Sequence, residues 1–313
     1  VQIFQKLNVT SLIHAIVDWD EVRLLYLVRD TSRGDSPNQA NITVREMRVE
    51  GRYLDKLAEQ TIPSLLTVSM RKDNLIDALA NIRRKKIVSG GSSEIHDVLR
   101  GFATASLFGM KERGLQSFGM EKPQDVLILS GDVIEVLPVP HATISAIDGL
   151  QLRGSYRIIV DKDGLAVPGS ASLLHKKFAF PLPSIFPRRH LYVSTEKGAS
   201  GKDGRAAFRG RITQSYGSDE SETDENLIVG QTGGVYTFPL SGSGEVLLVP
   251  EKSVYFPNLE KRKQGKVSYL AAEFGEEDDD VVIDCRKIPV VYGPDAQGNH
   301  RNVPEWLSGL PNF

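Results

Sequence analysis

The chain has 313 residues, with 38 Lys plus Arg against 40 Asp plus Glu, 40% hydrophobic residues and one cysteine, Cys285. A chain of this length buries about 70% or more of its unfolded surface without staples, and a lone cysteine excludes an internal disulfide framework, a thiolate zinc site and a CxxC redox pair. Its longest apolar runs, at 246–249 and 24–28, fall far short of the roughly 20 residues that cross a bilayer, so the sequence predicts a soluble chain with no membrane span.

Taken in chain order, the first 120 residues read mainly as helix. Thr10 or Ser11 caps a predicted helix to about residue 28, with Leu12, Ile13, Ile16, Val17 and Leu24 on a buried face, although 24–28 reads equally well as a strand. Residues 31–41, with Gly34 and Pro37, read as an exposed loop, and Ile42, Val44, Met47 and Val49 mark a short strand. Tyr53, Leu54, Leu57 and Ala58 have helical spacing that Pro63 terminates. Asp73 caps a predicted helix over 74–86, with Leu75, Ile76, Leu79 and Ile82 on one face. The cations Arg83, Arg84, Lys85 and Lys86 at its C-terminal end favour the helix dipole. After the break Ser89-Gly90-Gly91-Ser92, a further helix over 93–110 turns Ile95, Val98, Leu99, Phe102 and Leu107 inward.

From about Asp125 the period changes to two. Predicted strands recur at 126–129, 133–136, 143–147, 156–160, 191–194, 206–212, 235–238, 245–249, 267–270, 281–284 and 290–292, separated by Gly, Pro, Asp or Asn. Asp161-Lys162-Asp163-Gly164 and the SGSG core of 240–245 read as hairpin turns. The expected fold class is therefore α+β: a mainly helical region over 1–122, then an antiparallel β-rich, sandwich or barrel-like region over 123–313. The C-terminal tail from Pro294, with Trp306, Leu307 and Leu310, is expected to wrap the body or dock on a neighbouring subunit.

Charge is strongly segregated beneath a net of −2. Residues 171–216 hold nine cations, among them Lys176, Lys177, Arg188, Arg189, Arg205, Arg209 and Arg211, against Glu196 and Asp203. The next ten residues carry five carboxylates and no cation, and 273–284 carry seven. Two consequences compete. Cations interleaved with Phe178, Phe180, Phe186, Tyr192, Phe208 and Tyr216 suit RNA or DNA, where rings stack on bases and cations neutralise phosphates. Alternatively, basic and acidic segments of different subunits meet and set the register of a homo-oligomer. The acidic stretch 217–226 itself reads as a mobile surface loop.

Catalytic patterns are sparse. No phosphate-binding GxxxxGK[ST], GxGxxG, GxSxG or HExxH occurs, and no two of the six histidines have the spacing that puts two metal ligands on one helix face. Asp278, Asp279, Asp280 and Asp284, followed by Arg286 and Lys287, are the one group that could hold magnesium for phosphodiester cleavage. Asp132, Glu135 and His141 form a weaker constellation, the two carboxylates being expected on opposite faces of a strand.

The sequence therefore leads to a non-enzymatic, self-assembling structural protein, coat- or nucleocapsid-like, cytoplasmic or within a virion-like assembly. Its expected partners are itself and RNA or DNA, with no cofactor or metal. The expected nucleic-acid contacts are Arg83, Arg84, Lys85, Lys86, Lys176, Lys177, Arg188, Arg189, Arg205, Arg209 and Arg211. The alternative is a metal-dependent phosphodiesterase or nuclease using the acidic cluster near residue 280.

Overall fold

A computed structural model describes residues 9–29, 42–50, 60–67, 70–84, 92–114, 125–162, 190–195, 204–215, 223–252, 254–257, 259–276, 278–286 and 302–310. The expected helix at 53–58, loop at 31–41 and strand at 290–292 lie outside these.

The chain opens with strands where a helix was expected. β1 (Ser11–Val17), β2 (Glu21–Arg29) and β3 (Ile42–Glu50) form an antiparallel meander. All seven residues of β1 are buried, because β1 lies inside the sheet between β2 and the parallel strand β4 (Val126–Ser130). A strand covered on both faces is apolar throughout, and such a run cannot be told from a buried helix by period alone.

Pro63 falls in a 3-10 turn, Ile62–Ser64, and two helices follow, α1 (Lys72–Arg83) and α2 (Ser93–Gly114). Asp73 lies in the first turn of α1 and not at its cap. Leu75 and Leu79 are buried, whereas Ile76 is 43% exposed. Beyond β4 come α3 (Asp132–Val136) and α4 (Val139–Leu150), where strands were expected at 133–136 and 143–147. All of α4 except His141 is buried, so no polar stripe reveals its period. Pro140 sits in its first turn, where a missing N–H costs nothing.

The remaining elements in order are β5 (Ser155–Val160), β6 (His190–Ser194), β7 (Ala206–Ser215), β8 (Thr223–Gln231), β9 (Val235–Pro239), β10 (Ser243–Pro250), β11 (Glu260–Gln264), β12 (Val267–Phe274), β13 (Asp280–Asp284) and α5 (Val303–Ser308). They build two sheets, one of eight strands in the order β3-β2-β1-β4-β5-β6-β13-β9 and one of five in the order β11-β12-β10-β7-β8. The larger sheet is mixed: β1, β4 and β5 are parallel, as are β6 and β13, and the other pairs are antiparallel. Helices lie between strands along the chain, which corrects the expected helical N-terminal region followed by an antiparallel β-rich one. The fold is predominantly β, and helices are interspersed among its strands.

One face of the eight-stranded sheet is covered by helices. Ile13, Leu24, Leu127, Leu129, Ile158, Tyr192 and Val282 share a core there with Leu99, Phe102, Leu107, Ile144 and Trp306. Successive residues of a strand point to opposite faces. So Leu191, Val193, Val281 and Ile283 turn the other way and pack on Phe208, Ile212, Val246, Leu248, Phe256 and Phe274 of the smaller sheet and its connections. The expected hairpin at 240–245 is a crossover between sheets, since β9 pairs with β13 while β10 pairs with β7 and β12. The tail docks on its own body: Trp306 Nε1 donates to the Gly233 carbonyl at 2.9 Å, and Arg286 lies over the Trp306 ring, 4.7 Å from its centroid. Among the described residues no helix is long and apolar enough to cross a membrane.

Candidate interaction surface

β8 forms one edge of the smaller sheet, and among the described strands it pairs with β7 alone. Part of the stretch expected to be an acidic loop, from Thr223 onward, is strand. Asp224 and Glu225 are poor strand formers, and the strand is held by the apolar residues beyond them. Ile228 is buried in the core between the sheets, while Leu227 and Val229, on the opposite face, are 85% and 67% exposed. They are the two most exposed large hydrophobic side chains among the described residues. In register, Leu227 lies opposite Arg211 and Val229 opposite Arg209, and Arg209 in turn lies opposite the exposed Val249 of β10. An edge strand with free main-chain groups and exposed apolar side chains is a template for another strand.

The segregated charges of the sequence meet within one chain. Arg211 Nη1 is 2.6 Å from Glu225 Oε1, across the β7–β8 pair, and its guanidinium lies 5.0 Å from the Tyr269 ring centroid. Arg262 of β11 pairs with Glu260 at 2.9 Å and with Glu273 of β12. Of the expected nucleic-acid contacts, Arg83 closes α1, and Arg84 beyond it is exposed. Lys85, Lys86, Lys176, Lys177, Arg188 and Arg189 lie outside the described residues. Arg205 and Arg209 are exposed, the latter 4.0 Å from Glu251. The structure therefore brings Arg205, Arg209 and Arg211 to one edge region, where Arg211 is already taken by Glu225.

The carboxylates near residue 280 have other partners. Asp278 pairs with Arg157 at 3.0 Å and accepts from the Gly275 N–H, and Asp280 holds His190 Nδ1 at 2.8 Å. Asp284 accepts from Tyr192 and from Arg286 Nε and Nη2, and Arg286 Nη2 also lies 2.8 Å from Asp148. All four of these acids are buried. Burial pushes the Asp148 carboxyl up, with Arg286 opposing the shift. Burial alone would lower Arg286, but Asp148 and Asp284 hold it charged. Among the described residues no group of three His, Cys, Asp or Glu could hold a metal ion. The Cys285 thiol is raised well above its ordinary value, by burial first and by Asp284 second, which makes it a poor nucleophile.

No protein-family model and no curated protein matches the chain.

A second place of interest lies beyond the C-terminal ends of β1 and β4. There the chain leaves the two strands in opposite directions, toward β2 on one side and toward β5 on the other. Asp18 Oδ1 accepts from the Asp132 N–H at 3.1 Å. Gly131 has φ +108°, and a Cβ there would come within 2.6 Å of the Val17 carbonyl oxygen, so only glycine allows the two strand ends to close. Asp132 and Glu135 belong to α3, one turn of helix apart, and not to a strand. His141, on α4, has its pKa lowered to about 4 by burial and then by Arg100. Sequence reasoning passed over Asp18 because one acid after an apolar run carries no pattern until β4 is set beside it.

Proposed function

We propose that the chain acts by self-assembly, as a non-enzymatic structural protein that forms homo-oligomers. The observation that carries this reading is the β8 edge, where Leu227 and Val229 are exposed on a strand that pairs only with β7 among the described strands. Folded chains usually blunt such an edge with a short strand, lysine or proline, because exposure invites pairing. β8 runs for nine residues with neither lysine nor proline, and its only charges, Asp224 and Glu225, stand at one end away from Leu227 to Gln231. The exposed Arg205 and Arg209, just before and within β7, add a place for RNA or DNA to lie along the assembled surface. The test is light scattering coupled to size exclusion, with absorbance at two ultraviolet wavelengths. A particle whose mass is a multiple of 34.5 kDa supports the reading, and a monomer at every concentration sinks it.

A second reading is favoured by the place where the chain direction reverses between β1 and β4. Open sheets with parallel strands hold small ligands beyond the carboxyl ends of the strands at such a point. Asp18, whose Oδ1 takes the Asp132 N–H and whose Oδ2 lies 3.4 Å from Arg23, and Asp132 are the acids at that point, and they would take a phosphorylated metabolite through a divalent cation once Arg23 is displaced. Thermal unfolding with nucleotides and sugar phosphates, with and without Mg2+, tests it. A shift lost in Asp18→Asn supports the site, and no shift with any of them removes it.

A further inference from the structure

We infer that the occupant of the β8 edge is the β8 strand of a second copy, laid antiparallel about a two-fold axis that passes Ile228. This rests on the self-assembly reading and gives it an interface. The two ends of β8 differ in charge. Asp224 and Glu225 belong to the N-terminal end. At the C-terminal end, Thr232 bonds the carbonyl of the exposed Arg205, and Arg209, 78% exposed at its side chain, lies opposite Val229. A parallel arrangement would set acid beside acid. The antiparallel one sets the acidic end of each copy against the basic end of the other, twice, and charge of this kind chooses orientation and register.

With Ile228 on the axis, Leu227 of each copy stands opposite Val229 of the other. Each row across the joint then runs Arg209, Val229, Leu227, Arg211, with two apolar residues between two arginine stems, which themselves cover apolar surface. The five-stranded sheets of the two copies become one sheet of ten, and the outward main-chain groups of both edges, which pair with no other described strand, are satisfied. Isologous contacts of this sort are the ordinary way homodimers close.

Two measurements test this. The first is the dimer dissociation constant of the unaltered chain, of Leu227→Glu and of Val229→Lys, by sedimentation. Both positions are exposed, so circular dichroism should be unchanged while each substitution weakens the dimer about tenfold or more. The second mixes Leu227→Cys chains with Val229→Cys chains under mild oxidant. Directly opposed strand residues have Cα atoms within disulfide reach, so the mixed cross-link should form well ahead of either variant with itself. An oligomer indifferent to both substitutions, or with no preference for the mixed cross-link, overturns this interface while leaving self-assembly standing. A monomeric unaltered chain overturns both.

Discussion

His14 is a residue whose titration the fold controls strongly. Burial, and then the charge on Arg23, lower its pKa to about 3, and its Nε2 lies 2.7 Å from Ser130 Oγ between two central strands. The folded value lies below the ordinary one of 6.5, so as pH falls the unfolded chain takes up this proton first. The contribution of His14 is therefore complete above about pH 6.5 and is lost progressively toward about pH 3. Two pH units into that window, at about pH 4.5, the loss is on the order of 2–3 kcal/mol. Urea unfolding at pH 7 and at pH 4.5 should show His14→Gln losing less stability than the unaltered chain over that interval; equal losses would refute the assignment. Arg286 makes a second residue-scale case. It pairs with both Asp148 and Asp284, and Trp306 stacks beneath it. Arg286→Met removes that partner from two buried carboxylates, and breaking a buried pair from one side costs about 3–5 kcal/mol. The same variant should loosen α5, read as a red shift of Trp306 fluorescence in native buffer.

At the scale of elements, packing and propensity oppose each other at Gly149. In a helix, alanine is favoured over glycine by about 1 kcal/mol. Yet a Cβ at Gly149 would come within 2.6 Å of Leu107 Cβ and 2.9 Å of the Thr104 carbonyl oxygen, where α4 crosses α2. Overpacking of this kind costs about 1–3 kcal/mol, so Gly149→Ala should lower the melting temperature, and a rise would show that the helices separate freely. The same closeness explains what was legible in the sequence. Strands exposed on one side, such as β7 with its largely alternating burial, carry their period openly. β1 and α4 are buried all round and carry none, so each was read as the other kind of element. β11, Glu-Lys-Arg-Lys-Gln, has no apolar residue and owes its strand to pairing with β12. The edge of β8 was hidden in the same way, because Asp224 and Glu225 mark a loop until β7 supplies a partner. The basic residues of the candidate surface were legible singly. The pairing of Arg211 with Glu225 and the approach of Glu251 to Arg209 were not, since they depend on strand register and on a turn some forty residues away.

For the whole molecule, the placement of charge decides how an assembly should answer to salt. Read along the chain, the basic block and the acidic blocks invite joining between subunits, and such a joint would dissociate once the screening length fell below the charge spacing. In the folded chain Arg211 faces Glu225 and Arg262 faces Glu260 and Glu273, so much of that attraction is satisfied internally. What remains for a second copy is apolar side chain, strand edge and a small surplus at the two ends of β8. Apolar burial and main-chain hydrogen bonds respond weakly to ionic strength, and exposed pairs contribute about 0–1 kcal/mol each. The dimer constant should therefore move by less than about tenfold between about 0.05 M and 0.5 M NaCl, with association slowing more than dissociation quickens, because steering is what salt removes. A hundredfold weakening over that range would place the joint on the charged segments and away from Leu227 and Val229.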